Sequence, residues 1–385
     1  MQAMTDLGRS GRQRGRGRRR CGGASCWVAP LFALAVVAGC SSSTRGDNPT
    51  GSTPGTSPLG VSAGPFRATA GTADPDWSVK TMPAEVSILG GVSCPATHVC
   101  LAVGALISGG ATAITGLGTR SWRRGTVGGN DGALLVFYAV TCPSTARCIA
   151  ASPAGPFVTN DGGGTWYPAR LPTSIASNEP SITAVSCASP RVCIAIGDVG
   201  MFRSADAGAT WAQLSVSAPA ERAVSCARTT CVAVGGTTWT STDGGTSWAR
   251  SNVPPGVDGL TGVSCASASA CVAVGNANGS AAAIRTGDAG RSWTAADITP
   301  DAEFDAISCP STLVCLAVGT SSAATRGLVA RTTDGGASWS RQKPPLAATH
   351  LYAVSCPTSD HCVTVGKAAG PAPIFFTSDG GASWQ

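Results

Sequence analysis

Residues 223–235 read AVSCARTTCVAVG, and residues 306–319 read AISCPSTLVCLAVG. This pattern, two cysteines separated by four or five residues and followed by a short apolar run, occurs seven times with small variations. The first cysteines of successive copies lie 48, 45, 39, 39, 44 and 47 residues apart. Self-similarity at a period of about 40 to 50 residues is typical of proteins built from repeated supersecondary units, so the repeat decides the fold before any local pattern does.

The cysteine pairs predict disulfides. Fourteen of the 17 cysteines belong to them: Cys94 and Cys100, Cys142 and Cys148, Cys187 and Cys193, Cys226 and Cys231, Cys265 and Cys271, Cys309 and Cys315, and Cys356 and Cys362. This spacing across a hairpin turn brings the Cβ atoms within disulfide reach, and export favours oxidation. Zinc is the alternative, but zinc knuckles need two pairs that converge on one ion. Because these pairs fall in separate repeats, we expect seven disulfides, no metal and no other cofactor.

A second element, S/T-x-D-x-G-x-S/T-W, follows six of the seven cysteine pairs. Its Asp and Trp residues are Asp161 and Trp166, Asp206 and Trp211, Asp243 and Trp248, Asp288 and Trp293, Asp334 and Trp339, and Asp379 and Trp384. The first copy is degenerate, since it keeps Trp122 but has Leu117 in place of the Asp.

The rest of each repeat consists of short runs rich in Val, Ile, Thr and Trp that alternate with Gly-rich turns, and no window shows a helical period. Four such strands per unit of about 45 residues is the size of a propeller blade. The sequence therefore predicts an all-β fold, a seven-bladed β-propeller of four-stranded blades over residues 74–385.

Two details support the ring. Three residues before each first cysteine stand only small side chains, as the crowded central channel requires: Gly91, Ala139, Ala184, Ala223, Gly262, Ala306 and Ala353. Residues 77–83 (WSVKTMP) resemble the fourth strands that begin at Trp166 and Trp248, and the last repeat stops at Gln385. We expect this N-terminal strand to complete the C-terminal blade, which would leave no open sheet edge at the joint.

The N-terminus reads as an export signal. Residues 9–20 are rich in Arg, and residues 26–37 form an apolar run too short to span a bilayer. Val37-Ala38-Gly39-Cys40 follows and resembles the lipobox of bacterial lipoproteins, a resemblance that implies acylation of Cys40 and an extracytoplasmic, membrane-anchored location; an ordinary cleaved signal with a chance cysteine is the alternative. We expect a signal peptide over residues 1–39 and a lipidated Cys40 with a flexible Ser/Thr/Gly/Pro linker over residues 40–73.

Composition limits the function classes. The chain has 385 residues, of which 43% are hydrophobic and 12% charged, with 50 Gly and 25 Pro, so it is neither disordered nor a helical bundle. Its net charge of +6 arises in the first 39 residues, which hold seven Arg and one Asp and leave 20 basic and 20 acidic residues for the remainder. A balanced domain offers no electrostatic footprint for phosphates, and nucleic acid is excluded as an expected partner.

The S/T-x-D-x-G-x-S/T-W element resembles the Asp-box, or BNR repeat, of sialidases and other propeller families. The resemblance implies a structural role for the six boxed aspartates, on the face opposite an active site. Asp-box propellers without a hydrolase site include photosystem assembly factors, which hold nascent membrane proteins, and this chain is similar to them in repeat, blade count and export.

Candidate ligand contacts lie on the other face. Four residues before each first cysteine the repeat stops being uniform and reads Gly90, Tyr138, Thr183, Arg222, Thr261, Asp305 and Tyr352. One neighbouring loop is acidic and contains Asp297, Asp301, Glu303 and Asp305. The sequence thus predicts a ligand face whose candidate residues are Tyr138, Arg222, Asp301, Glu303, Asp305 and Tyr352. A solvated channel rim is the alternative for the ring, and Ca²⁺ binding, an acid/base pair or a merely solvated loop remain open for the carboxylates.

These observations favour a monomeric, membrane-anchored scaffold that binds an unknown protein or glycan and has no catalytic residues. The alternative is a sialidase or another glycoside hydrolase on the same fold. The F/Y-R-I-P signature of sialidases is missing, and no catalytic set of that family can be placed residue by residue.

Overall fold

The computed structural model describes residues 85–117, 122–128, 135–176, 180–216, 221–277, 280–296, 298, 303–321, 326–345, 347–368 and 372–385. Its strands form seven sheets, antiparallel except for one added strand in blade 2, that pack side by side around a ring, which confirms the seven-bladed β-propeller. Each sheet is one blade, and we letter its strands a to d from the centre outward.

The strands of blades 1 to 3 are β1 (Val86–Ala96), β2 (Val99–Leu106), β3 (Ala111–Leu117), β4 (Trp122–Arg124), β5 (Thr126–Val127), β6 (Ala139–Thr141), β7 (Cys148–Ala151), β8 (Phe157–Thr159), β9 (Thr165–Pro168), β10 (Ile182–Cys187), β11 (Cys193–Gly197), β12 (Gly200–Ser204) and β13 (Ala212–Gln213). Those of blades 4 to 7 are β14 (Glu221–Ala227), β15 (Thr230–Gly235), β16 (Thr238–Ser241), β17 (Ala249–Arg250), β18 (Val257–Cys265), β19 (Cys271–Ala277), β20 (Ser280–Thr286), β21 (Thr294–Ala296), β22 (Glu303–Ser308), β23 (Cys315–Ser321), β24 (Arg326–Thr332), β25 (Ser340–Gln342), β26 (Ala348–Ser355), β27 (Cys362–Ala368) and β28 (Ile374–Thr377).

Two blades depart from four strands. Blade 2 has five, because β5 leaves the outer strand of blade 1 and pairs in parallel with β9 of blade 2. Blade 7 shows three strands within the described residues, β26, β27 and β28. One short helix, α1 (Thr173–Ala176), lies between blades 2 and 3. No helix in the described part of the chain is long and apolar enough to cross a membrane.

Strand b explains the apolar run after each second cysteine. Its side chains alternate between the two sheet faces, and both faces are covered by neighbouring blades. In β2, Cys100 and Ala102 pack toward blade 7, whereas Leu101 and Val103 pack toward blade 2. The described residues contain seven such apolar clusters, one for each junction between neighbouring blades. The cluster between blades 7 and 1 brings Phe376 within 6.1 Å of Trp122, measured between ring centroids, and closes the ring.

The innermost strands confirm why small residues recur three positions before each first cysteine. A Cβ added at Gly91 would lie 2.9 Å from Cα of Ala139 in the next blade, and one added at Gly262 would lie 3.1 Å from Cα of Ala306. Adjacent backbones therefore approach so closely that even a methyl group would be tight at Gly91 and Gly262, and the other five blades carry Ala at this position.

A ring of hydrogen bonds runs beside these contacts. In six blades the residue before the first cysteine is Ser, and its hydroxyl accepts the backbone N–H of the first cysteine in the next blade; blade 2 has Thr141 instead, for which no such bond is seen in the described residues. In the described residues the bonds join Ser93 to Cys142, Ser186 to Cys226, Ser225 to Cys265, Ser264 to Cys309, Ser308 to Cys356, and Ser355 to Cys94, at 2.9 to 3.1 Å. The last bond runs from blade 7 to blade 1, so polar contacts as well as the apolar cluster close the ring.

The outer edge also links blades. A parallel β-bridge joins two repeat positions in neighbouring blades. One is the residue four positions after the Trp of strand d, and the other is the residue directly before the corresponding Trp of the next blade. The pairs are Thr126 with Thr165, Arg170 with Thr210, and Asn252 with Ser292. Within the described residues, this link joins three pairs of neighbouring blades, and the fifth strand of blade 2 is its two-residue form.

The predicted closing strand, residues 77–83, lies outside the described residues, as do the predicted signal peptide and linker. What the structure gives is the beginning of strand d in blade 7. The N–H of Gln385 donates to the carbonyl of Phe376, and the N–H of Phe376 donates back, at 2.9 and 3.0 Å. Gln385 therefore occupies the same position beside β28 as Ala212 does beside β12 in blade 3.

Candidate functional site

The turns divide the propeller into two chemically different faces. The a–b turns, which hold the cysteines, lie against the c–d turns of the same blades. Gly162 N–H donates to the carbonyl of Ala146, and Gly335 N–H donates to that of Leu313, both at 2.8 Å. We call this surface the disulfide face. Strand a runs toward it, so the start of strand a and the b–c turns belong to the opposite surface, which we call the ring face.

All seven predicted cysteine pairs are disulfides, with Cα–Cα distances of 3.9 to 4.1 Å. Each bridge closes a hairpin at a sequence separation of 5 or 6. A loop this short is stabilised by about 2 kcal/mol in the chain-entropy model. Each disulfide therefore stabilises a single blade, and we assign the disulfides no part in ligand binding.

The aspartate carboxylates of the repeated Asp–Trp element are hydrogen-bonded within the c–d turns. In blade 5, the hydroxyl of Thr286 donates to the Asp288 carboxylate at 2.7 Å, and Ser292 N–H donates to it at 3.0 Å. Hydrogen bonds from the Ser292 side chain and backbone lower the pKa of Asp288 to about 2. Trp293 is buried and donates its indole N–H to the Gly290 carbonyl at 3.1 Å. A permanently ionised carboxylate in this setting serves the turn and is poorly suited to proton transfer.

The same turn recurs in the other five blades that carry the element. Its carboxylates accept from backbone and side chains four residues on, at Asp161, Asp206, Asp243, Asp334 and Asp379. Hydrogen bonding lowers the pKa of all five below the ordinary value. The partner tryptophans Trp166, Trp211 and Trp248 each donate the indole N–H to a turn glycine, while no partner for the indole nitrogen of Trp339 or Trp384 is seen in the described residues.

On the ring face, the variable position four residues before each first cysteine is a β-bulge. Pairing between strands a and b skips one residue there in six blades, at Gly90, Thr183, Arg222, Thr261, Asp305 and Tyr352. Blade 2 contributes Tyr138, which directly precedes β6. The backbone N–H of Tyr138 donates to the Ala151 carbonyl at 2.9 Å. We call these seven positions the bulge ring. Bulges are frequent beside functional sites because they re-aim a side chain out of the regular pleat.

A glycine in strand b makes room for each bulge. A Cβ at Gly319 would overlap the carbonyl oxygen of Glu303, and one at Gly366 would overlap that of His350. These glycines are the last letter of the repeated AVG motif. In blade 2 the position is Ser152, and no register shift is seen in the described pairing of β6 with β7. The final Gly of the motif is therefore a sequence signature of the bulge.

The bulge ring is uneven in what it offers a ligand. The hydroxyls of Thr183 and Thr261 donate to the carbonyls of Ile196 and Val274 across their own blades, both at 3.2 Å. Thr261 also donates to the Phe304 carbonyl in the next blade. Both threonines therefore serve the backbone, and Gly90 has no side chain. Tyr138, Arg222, Asp305 and Tyr352 remain as ring members whose side chains can meet a ligand, with Arg222 exposed and the other three partly buried.

Asp305 and Tyr352 lie together with a residue that the sequence did not nominate, His350. The Asp305 carboxylate lies 2.7 Å from Nε2 of His350, and the two side chains are 33% and 29% exposed. The imidazole stacks on the Tyr352 ring at 4.3 Å between centroids and 25° between planes. Burial and then the charge of Asp305 raise the pKa of the Tyr352 phenol, so that it stays neutral. We call Asp305, His350 and Tyr352 the acidic–aromatic cluster.

The remaining nominated residues are placed as follows. Burial raises the pKa of Tyr138, which keeps its phenol neutral as well. Glu303 is the first residue of β22 and is exposed. Asp301 and Asp297 lie outside the described residues, so the predicted acidic loop is represented by Glu303 and Asp305 alone. No group of three or more potential metal ligands is found among the residues that the structure describes.

No protein-family profile and no curated protein matches the sequence. Solved structures do match. YCF48 bound to a D1 peptide superposes with a TM-score of 0.58 at 18% identity over 80% of this chain and 99% of that chain. YCF48 from Cyanidioschyzon merolae gives 0.57 at 16% identity over 78% and 98%. The GH74 xyloglucanase from Xanthomonas campestris gives 0.50 at 14% identity over 78% and 60%. At these identities the likeness establishes the propeller fold, which both a peptide-bound protein and a glycoside hydrolase share.

Proposed function

We propose that this chain is an exported, lipid-anchored propeller that binds a protein partner through its ring face and does not act as a hydrolase. The observation that carries the proposal is the bulge ring. A backbone bulge that recurs at the same repeat position in six blades coincides with a position whose residue type varies, and four of the seven side chains at that position can meet a ligand. A uniform scaffold with a non-uniform rim is what selective recognition requires.

Tyrosine and arginine are the residue types on which protein-binding surfaces most depend, because they combine large contact area with polar ends. The ring face offers Tyr138, Tyr352 and Arg222, whereas the carboxylates on the disulfide face are bound within turns. The YCF48 structure with a bound D1 peptide supports a peptide or protein as the partner, by analogy of fold.

Export and anchoring are proposed from the N-terminal sequence. Seven disulfides are at home in an oxidising compartment and support passage out of the cytoplasm. A Cys40→Ser variant tests the anchor. Mass spectrometry of the native protein should find an acylated N-terminal Cys40, and the variant should leave the membrane fraction. Recovery of a mature N-terminus elsewhere would contradict the proposal.

The binding proposal is tested by selecting peptides on the purified mature propeller from a random peptide display library. Peptides that bind the ring face should lose affinity for Arg222→Ala and Tyr352→Ala. They should retain affinity for Leu313→Ser, which alters a 59% exposed side chain in an a–b turn of the disulfide face. If the selected peptides distinguish none of these proteins, the ring face is not the binding surface.

Hydrolase activity is the outcome that would overturn the non-enzymatic assignment. Turnover of fluorogenic sialosides or of β-glucan oligomers by the purified domain, abolished in the Asp305→Asn variant, would establish it. We expect no turnover above that of a buffer control.

A further inference from the structure

We propose that the acidic–aromatic cluster is a binding site for a cationic side chain, Arg or Lys, of the protein partner. This inference rests on the proposed function and specifies which partner chemistry the ring face selects. Its elements come from two neighbouring blades, with Asp305 in β22 of blade 6 and His350 and Tyr352 in β26 of blade 7.

The cluster is built in advance of any ligand. The hydrogen bond between Asp305 and His350 orients the carboxylate, and the imidazole stacks on and orients the Tyr352 ring. The bulges at Asp305 and Tyr352 turn both residues out of the regular pleat. The loss of rotamer entropy on binding usually weakens recognition by exposed polar groups. Side chains that are already positioned lose little of it.

The geometry favours a cation over an anion. The contact with Nε2 of His350 uses one oxygen of the Asp305 carboxylate, and the lone pairs of the other oxygen can accept from a guanidinium or ammonium group. The exposed Glu303 is two residues away on the same strand, and its charge adds to that of Asp305. Lys367 is the residue opposite His350 in the β26–β27 register, and its side chain is exposed, so that solvent and salt screen its charge.

Aromatic rings complete the site. Cations are attracted to the faces of Tyr rings, and the attraction adds to that of a carboxylate. On the bulge ring the position between Tyr352 and Tyr138 is Gly90, whose missing Cβ would lie 3.0 Å from the carbonyl oxygen of Tyr138. Gly90 therefore places no side chain at the ring position between the two tyrosines.

Matched peptides test the inference. A nine-residue peptide with a central Arg is compared with the same peptide carrying citrulline, which keeps the shape and loses the charge. The flanking residues come from the peptide-display selection, and binding is followed by fluorescence anisotropy. We expect the Arg peptide to bind about tenfold or more tightly than the citrulline peptide, from a carboxylate contact and a cation–π contact together.

The variants locate the effect. Asp305→Asn should abolish the preference for Arg over citrulline, and Tyr352→Leu should weaken binding of the Arg peptide about fivefold or more. Leu313→Ser on the disulfide face is the matched control and should keep the full preference. Thermal unfolding of each variant verifies that it is folded before its affinity is interpreted.

The outcomes separate this inference from the proposed function. Equal affinity for the two peptides, or a preference that survives Asp305→Asn, overturns the cation site while leaving peptide binding in place. A preference that disappears with Arg222→Ala instead would move recognition to another part of the ring and likewise overturn it. Failure of every peptide to bind overturns both.

Discussion

The Ser355→Ala variant tests whether the ring is closed by specific contacts. Ser355 Oγ accepts the backbone N–H of Cys94 at 3.0 Å, and this bond joins blade 7 to blade 1. Ser308 makes the equivalent bond to Cys356 between blades 6 and 7, also at 3.0 Å. If the ring is continuous, the junction between the last and first blades should behave like any other junction.

The expected loss follows from the geometry. Removing the hydroxyl deletes one hydrogen bond and leaves a partly buried N–H without that acceptor. Such a loss costs about 1 to 2 kcal/mol of unfolding free energy. For a domain of this size, 1 kcal/mol corresponds to a decrease of roughly 2 °C in the thermal midpoint. We expect Ser355→Ala and Ser308→Ala to be destabilised by similar amounts.

Ser355→Thr supplies the control, because Thr carries a hydroxyl on the same Cβ atom as Ser. Ser355→Thr keeps an acceptor hydroxyl and should recover most of the stability that Ser355→Ala loses. The assay is guanidinium unfolding followed by tryptophan fluorescence under non-reducing conditions. Unfolding free energies are compared between variants that share the same m-value, the dependence of the free energy on guanidinium concentration. The reasoning fails if Ser355→Ala unfolds like the parent protein, or if Thr is as damaging as Ala.

Four further predictions address the turns, the site and the closing strand. Ala289 has φ +65° in a c–d turn, so Ala289→Gly should stabilise the protein by about 1 kcal/mol, and an unchanged or lower thermal midpoint would contradict this. The pKa of Asp288 is lowered to about 2, so its contribution to stability is present above the ordinary pKa near 3.8 and is lost as pH falls through about 2. Thermal midpoints measured from pH 5 to pH 2 should therefore decline, and less steeply in Asp288→Asn. Burial and the charge of Asp305 raise the pKa of Tyr352, so Asp305→Asn should lower it in an ultraviolet titration, with Tyr352→Phe identifying the signal. Deleting residues 77–83, which we propose complete blade 7, should accelerate amide exchange in β28 before the other strands, and equal exchange in both proteins would refute that role.

Much of the architecture could be predicted because the residues of the repeat interact with neighbours that are close in the sequence or in the adjacent repeat. Each cysteine pair, each Asp–Trp turn and each small residue on strand a acts within one blade or against the next, so seven copies of a local pattern specify seven similar units. The hydrogen bonds that Ser93 and its equivalents accept from the next blade could not be predicted, although these serines are visible in the repeat, because the pattern does not say which backbone N–H a hydroxyl will accept. The fifth strand of blade 2 was also missed, since two residues of parallel pairing carry no hydrophobic signature.

The site was predictable only in part, for a physical reason. Variation within the repeat pointed to Asp305 and Tyr352, but their partner His350 lies two residues before Tyr352, outside the aligned position. Because residues i and i+2 share one face of a strand, a search for polar residues at that offset from the ring would have found it. The bulge itself is encoded by the opposing glycine, which can be interpreted only after the pairing of strands a and b is known.

All fourteen cysteines of the described residues are joined inside their own hairpins. The covalent network consequently carries no information about blade order, which is left to the packing of each blade on its neighbours. Each pair needs only residues five or six positions apart, so it can form whether or not the following repeat has folded. A circularly permuted gene, opened at any of the connections between blades, would encode the same seven crosslinks.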